Sequence, residues 1–266
     1  MTKKVLRYGW LVLVLLFIYI PILVLAVYSF TNATTVGGGT GGFSFKNYAN
    51  LFKNDEMRSM IFGTVALAII CAAIATVLAT LGAIGSFYSK RVTKSLINTL
   101  NQVPVVNADI VTGFSICILL IVILRVDKNT YIPLGLGHIV LTAPFAYLSI
   151  LPKLKQMDNS LYEAALDLGA TPAQALFKVV LPQLIPGILS GFMLAVTLSL
   201  DDYFVTTYTK PSTFDTISTY VVNATRGSQT ETKTALWALS TLIFLLVVAF
   251  VVVMNVLSSR KRRERV

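Results

Sequence analysis

Six long apolar stretches limit what this chain can fold into. They cover residues 9–30, 60–87, 96–124, 134–151, 185–205 and 235–257. A helix that crosses a membrane needs about 20 mainly apolar residues, because each residue adds about 1.5 Å across a hydrocarbon layer about 30 Å thick. Only 13% of the residues are charged, whereas a soluble domain carries about 25%. The mean hydropathy is +0.75. Lipid is therefore the expected solvent, and in lipid every backbone polar group must be bonded within the segment, which favours helices. The expectation is an all-α polytopic membrane bundle with six transmembrane helices. The third stretch is the least regular, because it holds Pro104, Asn107 and Asp109, and the fourth is the shortest.

The net charge of +10 would point to nucleic acid in a soluble protein, but here its placement explains it. With the N-terminus inside, fourteen of the 22 Lys and Arg residues fall on inner segments, among them Lys3, Lys4, Arg7, Lys90, Arg91 and the tail from Arg260 to Arg265. That asymmetry is the positive-inside signal, supported by attraction to anionic lipid heads. Both termini are placed in the cytoplasm, and nucleic-acid binding is not needed to explain the charge. The first stretch begins on basic residues like a signal peptide. Its apolar run exceeds the roughly 7–15 residues of such a segment, however, and no small-residue cleavage site follows. It is read as a retained first helix.

The outer loop 31–59 contains the glycine run Gly37-Gly38-Gly39-Thr40-Gly41-Gly42 and is read as a flexible linker. The second span is rich in alanine and glycine, which let helices approach closely in lipid, so it is expected to be a buried helix. The first and sixth, built from Leu, Val, Ile and Phe, are expected to face lipid more. Cys71 and Cys117 lie inside apolar runs as small apolar residues. His138 is the only histidine and has no ligand partner at metal spacing, so it is read as a helix-packing or interfacial residue and no metal site is expected.

The segment between spans four and five, 152–184, is polar enough to leave the membrane yet patterned. Leu161, Ala164, Ala165 and Leu168 recur at helical spacing. Asp158, Asn159 or Ser160 can cap the start of this short helix, Glu163 suits its first turn, and Gly169 fits just past its end. Thr171-Pro172 opens a second short helix, with Thr as N-cap and Pro at the first position. Pattern alone leaves two readings open, an amphipathic interfacial connector or a rigid knob presented to a cytoplasmic partner.

Glu163-Ala164-Ala165, Gly169, Val179, Leu181 and Pro182 match the pattern EAA-x3-G-x9-I-x-L-P. By this motif the chain resembles the permeases of binding-protein-dependent ABC importers, with Val179 in place of isoleucine. The resemblance covers roughly residues 60–257. It implies the type I ABC importer permease fold and a loop that docks in a groove of an ATPase subunit. Glu163, Ala164, Ala165 and Gly169 would then lie at that contact, and Leu181 and Pro182 would complete the coupling segment. Glu163 would either pair with a basic ATPase residue or cap its own loop. The chain contains no Gly-Lys dipeptide, hence no Walker A phosphate cradle. ATP and magnesium would be bound by a separate ATPase chain, with no cofactor in this one.

Charges inside a membrane cost about 2.5–3.5 kcal/mol each on insertion scales and need a reason. Asp109, Asp201 and Asp202 fall within or beside apolar stretches, with Tyr203 and Phe204 next to them. Carboxylates and aromatic faces together suit an organic cation. The same acids could instead cap a resumed helix, bond across a helix interface or meet a docked binding protein. The stretch from Leu198 to Thr206, with Ser199-Leu200-Asp201-Asp202, resembles the S-x-D-D segment of spermidine/putrescine importer permeases. The stretch Asn107-Ala108-Asp109-Ile110-Val111 is similar too, with Ala108 where those proteins usually have proline. The likeness is strongest to the second, C-type permease of such systems.

The expected organisation is an N-terminal transmembrane helix at 1–30, an extracytoplasmic linker at 31–59, the permease domain at 60–257 and a basic cytoplasmic tail at 258–266. The resemblance implies a multi-pass protein of the bacterial cytoplasmic (inner) membrane. Its partners would be a homologous permease, a pair of ATP-binding subunits and an extracytoplasmic solute-binding protein. Asp109, Asp201, Asp202 and Tyr203 would line the substrate path. The alternatives are a permease for another small solute, such as an aminophosphonate, iron or thiamine, and an ion-coupled secondary transporter. An intramembrane enzyme lacks a nucleophile–base set.

Overall fold

The computed structural model describes residues 2–33, 41–158, 160–226, 236–245, 247–249 and 252. Among these residues the regular elements are all helical. The chain divides into two compact units, Met1–Ser59 with Val221–Val266, and Met60–Tyr220.

The first unit begins with α1 (Thr2–Ser29). From Tyr8 to Tyr28 its residues are exposed or half-buried, as expected of a helix bathed in lipid, and only Ser29 at its end is buried. The last carbonyls of such a helix lack intrahelical partners. Asn47 supplies them from the following helix, α2 (Lys46–Lys53), donating Nδ2–H bonds to Ser29 O at 3.2 Å and Thr31 O at 3.1 Å. The rings of Phe30, Phe43, Phe45 and Tyr48 cluster there, with centroids 5.0–6.3 Å apart. The described part of the outer loop is therefore built rather than loose. Buried Asn47 and four aromatic rings supply contacts that a glycine run cannot. Residues 37–40 of that run lie outside the described residues.

The long helix α3 (Asp55–Tyr88) carries its small residues inward. Ala68, Ala72, Ala75, Ala79 and Ala83 are buried at helical spacing, while Ile70, Ile74, Val77, Leu78 and Leu81 are exposed. This inverts the soluble pattern and suits a helix with lipid outside and close helix packing inside. The expectation of a buried second span thus holds for one face only. Among the described spans the most buried is the fourth, 56% buried against 33% for the second.

The third apolar stretch is not one straight helix. It forms α4 (Arg91–Val106) and α5 (Asp109–Cys117), the latter continued by a π-helical turn over Ile118–Ile123, and the two parts are bent by 106°. Pro104 has no N–H to give to the last turn of α4, and Asn107 and Ala108 take extended backbone, with ψ of 148° and 137°. Helix α4 buries none of its residues. Polar bonds hold it: Tyr147 donates its O–H to Asn98 Oδ1 at 2.6 Å, and Asn101 donates to Pro144 O at 3.3 Å.

Next come α6 (Ile132–Gln156), α7 (Ser160–Asp167), α8 (Pro172–Ala175), a π-helical turn over Leu176–Val180, and α9 (Leu181–Asp201). They are followed by α10 (Phe204–Thr209), α11 (Ile217–Arg226) and a shorter apolar helix, α12 (Leu236–Ala249). The described residues hold four helices long and apolar enough to cross a membrane, besides the bent pair. The sixth expected span is represented by α12, whose Leu236, Ala238 and Leu239 are buried. The tail 258–266 lies outside the described residues. In the second unit α6 and α9 run against each other so closely that a Cβ on Gly191 would stand 3.1 Å from Ala146 O. Helix α10 packs on α5 and α6. A Cβ on Gly113 would stand 3.0 Å from Val205 Cα.

Candidate functional site

Two places in the second unit carry the residues singled out above. The first is the elbow between α6 and α9. Its chain leaves α6 at Met157, and Asp158 Oδ1 accepts the Ser160 N–H at 3.0 Å. The backbone N–H and the hydroxyl of Ser160 hold this exposed carboxyl below the ordinary aspartate range. At the other end of α7, Gly169 has φ +85°, and the Gly169 and Ala170 N–H groups donate to Leu166 O and Ala165 O at 2.9 and 3.0 Å. This double closure of a helix end needs the left-handed conformation that glycine adopts without penalty. Thr171 then caps α8. Its Oγ1 accepts the Gln174 N–H at 3.3 Å, and Gln174 Oε1 accepts the Thr171 N–H at 3.0 Å. The Thr-x-x-Gln spacing of this capping box was open to view in the sequence. The π-helical turn that follows ends where Pro182 can donate no N–H, and the Gln183 side chain donates to Val179 O at 3.1 Å.

The elbow grips the bundle on one side and is bare on the other. Tyr162 and Leu176 pack against a core that includes Tyr147, Ile150, Leu154, Val180 and Leu184, and the Tyr162 ring lies 5.2 Å from that of Tyr88. The predicted apolar stripe faces the other way. Leu161 and Ala164 are exposed, Ala165 is half-buried and Leu168 is 90% exposed. Glu163 and Gly169 are exposed as well, and Leu181 and Pro182 are half-buried at the start of α9. Nothing lies within 4 Å of a Cβ built on Gly169. Glu163 makes no hydrogen bond or ion pair among the described residues. Of its two roles read from the sequence, the loop cap therefore has no bond here.

The second place is a pair of breaks in the membrane helices. Asp109 is the first residue of α5, directly after the bend from α4. It is exposed and makes no side-chain cap bond, while Asn107 reaches Thr112 Oγ1 at 3.4 Å. Asp201 ends α9 and is exposed, and Tyr203 is half-buried with its ring 5.3 Å from that of Phe204. The breaks are neighbours, because Gly113 and Val205, each one turn beyond its acid, are where α5 and α10 touch. The C-terminal end of α9 carries the negative end of a helix dipole beside a carboxylate, an arrangement that favours a cation.

Asp202 behaves differently from its neighbour. It is buried, and its carboxylate accepts the Val205 N–H at 3.2 Å, the Thr206 N–H at 2.7 Å and the Thr206 O–H at 2.8 Å. These bonds tie it to the start of α10. His138 stands beside it with no exposed surface: Nδ1 is 2.7 Å from Ser199 Oγ, Nε2 is 3.0 Å from Thr206 Oγ1, and Nε2 is 3.8 Å from Asp202 Oδ2. His138 is thus a packing residue, as read, but one tied to the acids. The spacing Asp-x-x-x-Thr was visible in the sequence, whereas the pairing of His138 with residues 61 and 68 positions away was not.

A family profile described as binding-protein-dependent transport system inner membrane component matches residues 79–264. The putrescine transport system permease protein PotI of Escherichia coli (strain K12) is 30% identical over 236 residues, covering 84% of this chain and 82% of that one. The spermidine/putrescine transport system permease protein PotC of Haemophilus influenzae is 28% identical over 260 residues, covering 98% and 99%. Among solved structures, a bacterial alginate ABC transporter in complex with an alginate pentasaccharide-bound periplasmic protein superposes with a TM-score of 0.70. It is 17% identical, covering 94% of this chain and 93% of that one. An amino acid ABC transporter with histidines gives a TM-score of 0.56 at 17% identity, covering 81% and 96%.

Proposed function

Because the chain belongs to the family of binding-protein-dependent transport system inner membrane components, we propose that it is the permease subunit of an ATP-driven polyamine importer, coupled to a separate ATPase through the elbow at 152–184. Its fold is that of a type I ABC importer permease, and its family are membrane transport components rather than enzymes. The observation that carries the coupling role is the outward apolar stripe on a rigid elbow. A periodic face of Leu161, Ala164 and Leu168 that stays exposed while Tyr162 anchors the other side is a surface kept for another chain. Ala164 and Ala165 permit a close fit, Gly169 sets the turn, Leu181 and Pro182 hand the displacement to α9, and Glu163 is free to pair with a basic residue of the ATPase.

In this scheme a homologous permease completes the path and an extracytoplasmic binding protein delivers the solute. ATP favours the closed ATPase pair, so its differential affinity for that state drives the elbows together and changes the exposed side of the bundle. Both termini lie in the cytoplasm. The solute is a spermidine- or putrescine-like cation, supported by the substrates named for the relatives and by Asp201 at the carboxyl end of α9 with Asp109 across the α5–α10 contact. Tyr203 offers a ring face to the same cation. Asp202, already engaged with α10, contributes to the field rather than to direct contact.

The test is reconstitution in lipid vesicles with a cognate ATPase, second permease and binding protein. Spermidine uptake should require ATP inside the ATPase compartment and persist with protonophores. A cysteine at Leu168 should cross-link to the ATPase. Labelling of that cysteine only from the outer face would overturn the scheme, as would uptake that collapses with the proton gradient while ATP remains.

A further inference from the structure

His138 is the chain's one histidine, fully buried and bonded through both ring nitrogens. The two bonds straddle the break between α9 and α10. Ser199 belongs to α9, Thr206 belongs to α10, and the helical path is interrupted at Asp202 and Tyr203 between them. Helix α10 has six residues, too few to hold an orientation by its own hydrogen bonds. Its direction relative to α9 depends on what grips it from outside. On the polar side that is the imidazole of α6, whose neighbouring Thr142 hydroxyl turns back to His138 O at 2.7 Å.

Proton counting fixes the direction of the chain of bonds. The Thr206 hydroxyl has one proton, and its shorter bond goes to Asp202 Oδ2 at 2.8 Å rather than to Asp202 O at 3.4 Å. Thr206 Oγ1 is then an acceptor toward His138, so Nε2 carries a proton. Ser199 can donate its own proton to Nδ1. The relay reads Ser199 O–H to Nδ1, Nε2–H to Thr206, and Thr206 O–H to Asp202. We propose that His138 is a positioning residue of the transport path: held as the neutral tautomer protonated on Nε2, it sets the angle between α9 and α10 and thereby the stance of Asp201 and Tyr203 at the vertex. This rests on the reading of Asp201 and Tyr203 as cation contacts, but the geometry of the break does not depend on that reading.

Three substitutions separate the two bonds. H138Q keeps an amide N–H near the position of Nε2, H138N keeps an amide near Nδ1, and H138L keeps neither. In vesicles holding the complete importer, H138L is expected to raise the KM for spermidine at least tenfold with Vmax within threefold of wild type. H138Q should recover to within threefold in KM, and H138N should recover less. Equal losses of Vmax in all three at unchanged KM would overturn the proposal. The nitrogen-15 spectrum of histidine-labelled importer, taken as the difference from H138N, should show one protonated and one bare ring nitrogen, with the proton on Nε2. A proton on Nδ1 alone, or on both, would overturn it. With Cys71 and Cys117 replaced by alanine, D201C should react with a hydrophilic maleimide at a rate that H138L changes at least threefold and H138Q does not; an unchanged rate in H138L would also overturn it. If the wild-type importer takes up no polyamine, the substrate assignment fails, while the spectrum and the labelling still decide the role of His138.

Discussion

The elbow at 152–184 and the corner at 199–206 are both rigid, for opposite reasons. In the elbow every cap is local: Asp158 with Ser160, Ala165 with Ala170, Thr171 with Gln174. Its outer side chains are left unspent, with Leu168 90% exposed. In the corner the bonds that matter reach across 61 and 68 residues to His138, and Asp202 has three donors on its carboxylate. A part that is gripped from outside must be stiff in its own backbone and bare on its surface. A part that shapes a path must be stiff relative to its neighbours, with its polar groups satisfied inward.

The sharpest way to break this contrast is to spoil the elbow's backbone while leaving the corner alone. Gly169→Val places a β-branched residue at φ +85°, which costs about 1–2 kcal/mol for the left-handed conformation and more for branching. Uptake is expected to fall more than tenfold while ATP hydrolysis persists, measured as substrate moved per ATP in vesicles. Near-normal coupling would show that the elbow need not be stiff. Next in size is Gly113→Val, which drives a side chain toward Val205 Cα, 3.0 Å from the first added carbon. It should lower complex stability by about 1–3 kcal/mol, read as a drop in melting temperature in detergent. It should also weaken uptake affinity, because α5 and α10 both carry the proposed site.

Asp201 and Asp202 offer a finer comparison, two adjacent acids with separate duties. Asp201→Asn should raise the KM for spermidine several-fold without changing the melting temperature. Asp202→Ala removes a cap and should cost about 0.5–2 kcal/mol of stability, visible in the melting temperature first. The reverse pattern would exchange their roles. The smallest expected effect belongs to Thr171→Ala, which loses one half of the capping box, worth about 1 kcal/mol locally. Coupling should drop less than threefold, and a larger loss would mean that α8 is the weak point of the elbow.

The same contrast explains what was legible in the sequence. Helix ends at Gly169 and Thr171 follow from short-range chemistry, so residue spacing predicts them and the structure has them. Spacing alone left the outward turn of Leu161, Ala164 and Leu168 open, since a period gives a face but not what the face meets; only the EAA resemblance placed Ala164 at a contact with another chain. The third stretch was expected as one irregular span because apolar content carries no angle; Pro104, Asn107 and Asp109 mark where it breaks, but not the 106° of its bend. The outer loop was expected to be loose because glycine dominates it; in its described part Asn47 and Tyr48 bond to the end of α1, while residues 37–40 of the glycine run lie outside the described residues. The bond partners of His138 come from tertiary packing, which a single sequence does not spell out.

The alanine seam of α3 has a mechanical consequence. Ala68, Ala72, Ala75, Ala79 and Ala83 present methyl groups with no rotamers to reset, so the contact surface has no deep teeth to disengage when the neighbour slides. Large side chains interlock and resist shear until several flip together. A methyl-lined track has no such teeth of its own, so a neighbour shifting along it has fewer side chains to reset.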